Sequence, residues 1–216
     1  MYTLAARQQM VDQQIRTWEV LDSRVLDALS AVPREAFVPP EYRELAFADA
    51  PIPIGFGQTM LAPKLQGRIL QALGVSATDS VLEVGSGTGY LSAAFSLLCA
   101  STHSIDIHPG LIESAAANLR AVPGARVQFE IRDVFDAAPL REYDVVAITG
   151  SLPVYDTRFE RSLRVGGRLF AIVGAAPVMD AIVVRRVDKN EWIRESLFET
   201  VVEPLINAVA AQRFVF

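Results

Sequence analysis

The stretch Val81-Leu82-Glu83-Val84-Gly85-Ser86-Gly87-Thr88-Gly89-Tyr90 decides the fold of this chain. A short apolar run leads into three glycines at every second position, and a segment rich in Ala, Ser and Leu comes next. Glycine lets the backbone bend tightly and approach a ligand without a Cβ in the way. A helix behind such a loop presents unpaired N–H groups and the positive end of its dipole. The stretch therefore predicts a strand, a ligand-binding loop and a helix.

Beyond this loop the chain alternates between strand-like and helix-like segments. We predict strands at 80–84, 102–106, 126–131, 143–149 and 168–173, and helices at 89–99, 109–121 and 155–163. Two more strands, at 181–184 and 196–202, are joined through a polar turn at 188–190. This alternation favours an α/β, Rossmann-like fold, in which a mostly parallel sheet is covered on both faces and an antiparallel C-terminal hairpin closes one edge.

The first 79 residues have a different character. Apolar residues recur with helical spacing at 5–17, 22–31 and 63–73. Between them, a segment rich in proline and aromatic residues predicts an ordered cover across the main domain. A chain of 216 residues fits one domain. We therefore expect a single domain, 1–216, with N-terminal helices and a lid or substrate segment at 1–79 and the cofactor-binding core at 80–216.

Composition narrows the class of protein. The net charge is −5, and acidic and basic residues are scattered rather than blocked. General nucleic-acid binding needs a basic stripe, so we expect no nucleic-acid partner. Cys99 is the only cysteine, which fits a reducing compartment, and no stretch approaches ~20 uninterrupted apolar residues. We expect a cytoplasmic protein without a membrane partner.

The loop favours one cofactor class. Tyr90 stands where a dinucleotide fingerprint has its third glycine, and the acidic residue Glu83 lies two positions before the first. This pattern favours S-adenosyl-L-methionine, with S-adenosyl-L-homocysteine as its product, over a nicotinamide or flavin nucleotide. A tight strand–helix turn without a ligand is the alternative interpretation.

Open α/β sheets bind ligands at the carboxyl ends of their strands, and several polar residues are predicted there. Asp106 ends the second strand, where a carboxylate can accept from a ribose hydroxyl, and Asp133 comes after the third strand, where it could accept from an adenine amino group. Taken singly, Asp106 could cap a helix and Asp133 could sit in an ordinary turn. Thr149 ends the predicted fourth strand and could line the methyl donor.

Histidine and cysteine give no sign of other chemistry. We interpret His103 as a strand-edge residue and His108 as part of a loop surface. No His/Cys cluster has the spacing of metal ligands, so no metal is expected.

Two segments of the first 79 residues stand out, Val-Pro-Arg-Glu-Ala-Phe-Val-Pro at 32–39 and Pro-Ile-Pro-Ile-Gly-Phe-Gly-Gln-Thr at 51–59. They resemble segments of the protein-L-isoaspartate (D-aspartate) O-methyltransferase family, in which the first has histidine at its fourth position. The second segment is the most specific match. The resemblance extends to 10–15, 25–28 and the Gly-Gly turn at 163–169. It implies a class I S-adenosylmethionine-dependent methyltransferase fold, and an enzyme that methylates the α-carboxylate of L-isoaspartyl residues in damaged proteins or peptides. The resulting ester closes to a succinimide that can reopen to a normal aspartyl linkage, which constitutes protein repair.

One position departs from the family pattern. Leu61 stands where the family has its active-site serine, and we predict Thr59 and Leu61 as the catalytic positions. Thr59 or Ser151 could supply a replacement hydroxyl. Two alternatives stay open: a methyltransferase of this family with another acceptor, or a non-catalytic S-adenosylmethionine-binding protein.

The predicted site has two further parts. The substrate-binding residues are Gly57, Ala62 and Ser151. The thirteen cofactor-binding residues are Gln58, Met60, Gln66, Glu83, Gly85, Ser86, Gly87, Gly89, Asp106, Ile107, Asp133, Val134 and Thr149.

Overall fold

The structure, a computed structural model, describes residues 2–136 and 140–210. The strands are β1 (Ile52–Gly55), β2 (Gln58–Met60), β3 (Ser80–Val84), β4 (Ser101–Asp106), β5 (Val127–Ile131), β6 (Tyr143–Leu152), β7 (Leu163–Ala175), β8 (Val178–Asp188) and β9 (Glu191–Thr200). The α-helices are α1 (Tyr2–Met10), α2 (Ser23–Ala31), α3 (Pro63–Leu73), α4 (Tyr90–Ser96), α5 (Pro109–Asn118) and α6 (Thr157–Arg161). Helix α1 continues through a π-helical turn, Val11–Ile15, and a 3₁₀ turn, Arg16–Trp18.

Seven strands form one sheet in the order β5-β4-β3-β6-β7-β8-β9. Strands β3 to β7 pair in parallel, whereas β8 pairs antiparallel with both β7 and β9. The predicted mostly parallel sheet with a C-terminal antiparallel hairpin is therefore confirmed. The chain runs outward from β3 to β5 and then returns to β6 on the other side of β3. This reversal puts a switch point at the carboxyl ends of β3 and β6, where such sheets bind ligands.

Side chains from the central strands alternate between two apolar clusters. Val81 and Val145 pack in the cluster that also holds residues of the N-terminal helices, α3 and α4. Leu82 and Val146 pack in the other cluster, together with Phe159 of α6. Both faces of the central strands are thus buried, as expected for a parallel sheet. The segment before residue 80 shares one of these clusters with the sheet, whereas the predicted single-domain boundaries stay a prediction.

The proline-rich segment is ordered, as predicted. It contains two 3₁₀ helices, Arg34–Ala36 and Pro40–Leu45, and buries the side chains of Phe37 and Ala46 completely. The β1–β2 hairpin comes next, and its tip holds three successive residues with positive φ, including Phe56 at 55°. Within the described ranges, no helix combines the length and the apolar character needed to cross a membrane.

Several local predictions differ from the structure: β7 begins at Leu163 rather than 168, and β9 spans Glu191–Thr200 rather than 196–202. The fourth strand, predicted to end at 149, runs to Leu152 with an irregular register between Ala147 and Ser151. The irregularity lets Thr149 Oγ1 reach the carbonyl oxygens of Val84 and Gly85, at 3.0 and 2.7 Å.

His103 is not at a strand edge, because β4 lies inside the sheet between β3 and β5. The side chain is buried, with Nδ1 at 2.6 Å from Tyr143 Oη and Nε2 at 2.7 Å from Glu130 Oε2. Burial lowers the pKa of His103 and outweighs the opposing effect of Glu130. These partners come from β6 and β5, so the sequence around His103 gives no sign of them.

Candidate active site

A cleft of about 890 Å³ opens at the carboxyl ends of the parallel strands. Its wall is built from the loops after β3, β4 and β5, the bulged part of β6, the β1–β2 hairpin, α3 and the segment after β9. Twelve of the thirteen predicted cofactor-binding residues lie in this wall: Gln58, Met60, Gln66, Glu83, Gly85, Ser86, Gly87, Asp106, Ile107, Asp133, Val134 and Thr149. Their position is observed, whereas their contact with a cofactor stays a prediction.

Gly89 is the predicted residue that lies outside the cleft wall. A Cβ at this position would come within 2.9 Å of the Ala115 Cβ on α5. Gly89 therefore lets α4 begin in close contact with α5. The sequence pattern could not separate this packing glycine from its neighbours, because the docking of α5 decides its role.

The rest of the glycine loop is held from two sides. Gly85 has a φ of 95°, and its missing Cβ leaves room for the Thr149 hydroxyl. Gly87 donates its backbone N–H to Asp106 Oδ2 at 3.0 Å. These contacts fix the backbone between β3 and α4 at the bottom of the cleft.

Glu83 carries an unpaired acceptor into this region. Its side chain is buried, and Oε2 accepts hydrogen bonds from the hydroxyls of Ser92 and Ser104, the latter at 2.6 Å. Oε1 has no hydrogen-bond partner among the described residues. Burial raises the pKa of Glu83 to about 7, despite the two serine donors. Glu83 is thus poised to ionise when a cationic group comes close.

Three other polar atoms at the cleft lack partners in the described part of the chain. They are Thr88 Oγ1, Tyr90 Oη and His108 Nε2, and each belongs to a residue in the cleft wall. Buried polar groups are normally hydrogen-bonded, so a cluster of unsatisfied ones points to a polar ligand. The donor and acceptor set fits the ribose, adenine and amino-acid groups of S-adenosylmethionine.

The two predicted aspartates lie in the cleft wall, and each accepts a hydrogen bond from a backbone N–H group. Asp106 accepts from Gly87 N with one oxygen and from His108 N, at 3.0 Å, with the other. Asp133 accepts from Phe135 N at 2.8 Å and from Asn207 Nδ2 at 2.7 Å. A carboxylate offers about four acceptor positions, so each has capacity left for a ligand hydroxyl or amine. The capping and turn interpretations are therefore compatible with a binding role.

Asp106→Ala is expected to weaken binding of S-adenosyl-L-homocysteine by about 1–3 kcal/mol, because a buried ribose hydroxyl would lose its acceptor. Isothermal titration calorimetry measures this change. Asp22→Ala is the matched control, since Asp22 also accepts from a backbone N–H two residues ahead but caps α2. Equal affinity of Asp106→Ala and wild type would refute the ribose assignment.

A second groove, of about 1190 Å³, lies beside the cleft. It runs along the ends of β7, β8 and β9 and includes Ala62 and Ser151. Four residues line both cavities: Thr59, Leu61, Val202 and Glu203. The predicted catalytic positions, Thr59 and Leu61, therefore lie in the wall between the cleft and this second groove.

The shared wall contains one free hydroxyl. Thr59 is half-buried, and its hydroxyl is bonded to none of the described residues. Leu61 is buried, and its carbonyl oxygen accepts from Arg34 Nη2 at 2.8 Å. Ser151 is fully buried and donates its hydroxyl to the carbonyl of Val202 at 2.9 Å. The Ser151 proton is thus used within the fold, whereas the Thr59 hydroxyl is bonded to none of the described residues; the roles predicted for both stay predictions.

The remaining predicted substrate residue, Gly57, lies exposed at the hairpin tip, outside both cavity walls. Next to it, Phe56 stacks on His108 with ring centroids 4.5 Å apart and also lies against Gly110 of α5. The hairpin therefore reaches across the cleft to the start of α5. This contact fits the predicted ordered cover across the main domain.

Sequence reasoning missed two parts of the wall. The segment after β9 contributes Val202, Glu203, Leu205 and Ile206, although it contains no recognisable motif. Arg34 stands out in the sequence only as part of a family segment, yet it contacts three residues of the cleft wall. Its partners are distant in sequence, so only the fold brings them together.

The sheet order, the glycine loop and the cleft at the switch point define a class I S-adenosylmethionine-dependent methyltransferase fold. A sequence model described as protein-L-isoaspartate(D-aspartate) O-methyltransferase matches residues 5–209. The chain belongs to this family.

Curated relatives and solved structures agree with this membership. A protein-L-isoaspartate O-methyltransferase of Koribacter versatilis is 34% identical over 204 residues, which cover 93% of this chain and 90% of the relative. One from Rhodopseudomonas palustris is 33% identical, with 94% of each chain covered. The crystal structure of a Plasmodium falciparum family candidate, in complex with S-adenosyl-L-homocysteine, superposes with a TM-score of 0.80 at 15% identity and covers 92% of this chain and 97% of that one. At that identity the superposition shows the shared fold.

Proposed function

We propose that this protein is an S-adenosyl-L-methionine-dependent enzyme that O-methylates the α-carboxylate of L-isoaspartyl residues in damaged proteins or peptides. The observation that carries the proposal is the shared wall, which puts Thr59 and Leu61 between a cofactor cleft and a second groove. Family membership over residues 5–209 supports the isoaspartyl acceptor over another acceptor or a non-catalytic role. Isoaspartyl-containing proteins are the proposed partners.

S-adenosylmethionine supplies an electrophilic methyl group when it is bound. Asp106 and Asp133 would hold its adenosine end, and Glu83 would face the cationic donor. The acceptor carboxylate enters from the second groove and is already ionised, so the residues in the shared wall do not have to remove a proton. Their task is to hold donor and acceptor in line and to keep water out.

Thr59 is the donor that we assign to the acceptor carboxylate. Its hydroxyl is free and lies in the wall common to both cavities, where Leu61 provides apolar surface only. A hydrogen bond to a charged acceptor is stronger than one between neutral groups. Thr59 thus takes the part that a serine at position 61 has in the family pattern.

The proposal is tested by methyl transfer from labelled S-adenosylmethionine to an isoaspartyl peptide, with the matching aspartyl peptide as control. Transfer is expected to the isoaspartyl peptide alone. Thr59→Val is expected to lower kcat/KM by roughly 10- to 100-fold, because a carboxylate loses a charge-assisted hydrogen bond. Thr17→Val is the matched control, since the Thr17 hydroxyl is bonded to Gln13 and Gln14 on the N-terminal helix. No transfer by protein that binds S-adenosyl-L-homocysteine would contradict the isoaspartyl acceptor.

A cytoplasmic location is part of the same proposal. The chain has a single cysteine and no disulfide, which fits a reducing compartment. Separation of cell fractions followed by detection of the protein tests this assignment.

A further inference from the structure

Arg34 is a fully buried cation beside the cofactor cleft. Its guanidinium donates to the carbonyl oxygens of Ala46 and Leu61, each at 2.8 Å, and to Gln66 Oε1. Its Cζ lies 4.9 Å from the centre of the Tyr90 ring. Leu61, Gln66 and Tyr90 all line the cleft. One side chain from the proline-rich segment therefore supports three points of the cleft wall.

No carboxylate in residues 2–136 or 140–210 lies within ion-pair distance of Arg34. The adjacent Glu35 pairs with Arg7. Burial lowers the pKa of Arg34 to about 10, so the guanidinium stays protonated at neutral pH. A buried charge without a counter-ion is costly, and an anion bound nearby would offset that cost.

The contact with Arg34 also fixes the orientation of the Gln66 side chain. Guanidinium groups only donate hydrogen bonds, so the oxygen of the Gln66 amide must face Arg34. The amide nitrogen then faces away from Arg34, and it donates to none of the other described residues. Because Gln66 lines the cleft, two N–H donors are presented there with a positive charge behind them.

Glu83 provides the complementary group in the same cleft. Its Oε1 is buried and lacks a partner among the described residues. A free amino acid has one anionic and one cationic end, and the methyl donor carries such an end. A wall that offers N–H donors backed by a cation at one point and a carboxylate at another is suited to it.

We propose that Arg34 is a positioning residue for the amino-acid end of the methyl donor: it orients Gln66 so that the amide N–H groups bind the donor's carboxylate, while Glu83 accepts from the ammonium group. This inference rests on the proposed methyl donor and is independent of the methyl acceptor. Neither Arg34 nor Gln66 touches the reacting methyl group in this assignment.

Comparing the Kd values of two ligands distinguishes a lost contact with the amino-acid end from general damage to the site. S-adenosyl-L-homocysteine has that end, whereas 5′-methylthioadenosine has the same adenosine and sulfur without it. Gln66→Leu is expected to raise the Kd for S-adenosyl-L-homocysteine roughly 10- to 100-fold, as for a lost hydrogen bond to a charged group, and to leave the Kd for 5′-methylthioadenosine within about twofold. Arg34→Met is expected to show the same difference, measured by calorimetry on protein with a wild-type circular dichroism spectrum.

Gln71→Leu is the matched control for Gln66→Leu. Gln71 lies on the same helix, but its Oε1 accepts from the backbone of Leu21 and Asp22, away from the cleft. Both ligands are expected to bind this variant as they bind wild type. If Gln66→Leu weakens both ligands equally, or neither, the inference is overturned. Since Gln66→Leu leaves Arg34 in place, this result does not depend on whether Arg34→Met folds.

The transfer assay distinguishes this inference from the proposed function. If Gln66→Leu weakens S-adenosyl-L-homocysteine alone but wild-type protein methylates no isoaspartyl peptide, the proposed acceptor is contradicted and the role of Arg34 and Gln66 is supported. If wild-type protein methylates the peptide but Gln66→Leu affects both ligands equally or neither, only this inference is contradicted.

Discussion

Gly85→Ala is expected to lower the free energy of unfolding by about 3–5 kcal/mol and to abolish measurable binding of S-adenosyl-L-homocysteine. The backbone of Gly85 has a φ of 95°, which is unfavourable for any residue with a Cβ. The added Cβ would overlap the Thr149 hydroxyl. Thr149 would have to give up its hydrogen bonds to Val84 and Gly85, which join β6 to the glycine loop.

Urea unfolding followed by circular dichroism measures the loss of stability, and calorimetry measures the loss of binding. Gly124→Ala is the matched control, because Gly124 has a φ of 83° and a Cβ there would meet no atom of the described chain within 4 Å. That variant keeps the backbone strain without the overlap, so it should lose about 1–2 kcal/mol and bind normally. Equal losses in the two variants would contradict the assigned role of Thr149.

Glu83→Gln is expected to remove a pH dependence of stability and of ligand binding. The pKa of Glu83 rises from 4.5 to about 7 on folding, so between these values the folded state keeps a proton that the unfolded state has released. Stability therefore falls as pH rises from 4.5 to 7 and levels off above, by an amount on the order of 3 kcal/mol. Affinity for S-adenosyl-L-homocysteine is expected to rise over the upper part of this range, since only ionised Glu83 attracts the ammonium group.

Urea unfolding and calorimetry are carried out between pH 5 and 8 on wild type and on Glu83→Gln. The difference between the two proteins in unfolding free energy and in affinity isolates the effect of Glu83. Glu113→Gln, at an exposed position on α5, controls for the loss of one carboxylate. The same pH slopes in Glu83→Gln and in wild type would mean that Glu83 does not titrate in this range.

Residues at strand ends could be predicted from the sequence, whereas residues whose role depends on the docking of separate elements could not. Asp106 and Asp133 could be placed because the carboxyl ends of parallel strands meet at one edge of the sheet. Gly89 could not be separated from Gly85 and Gly87, because its role depends on the distance to Ala115.

Arg34 was missed for a related reason. Its acceptors come from positions 46, 61 and 66, and no local sequence pattern predicts that one guanidinium binds all three. The C-terminal part of the cleft wall was missed because it is an irregular segment without a motif. In contrast, the departure at Leu61 was visible in the sequence. Only the structure shows that Thr59 and Leu61 lie in the same wall and that the Ser151 hydroxyl donates to the carbonyl of Val202.

The wall shared by the two cavities has a stereochemical consequence. In the proposed reaction the donor would approach it from the cleft and the acceptor from the groove along the ends of β7, β8 and β9. The methyl carbon would then be transferred directly from sulfur to oxygen within a ternary complex, without a methylated side chain as intermediate. A methyl group made chiral with hydrogen isotopes would arrive on the ester with its configuration inverted once.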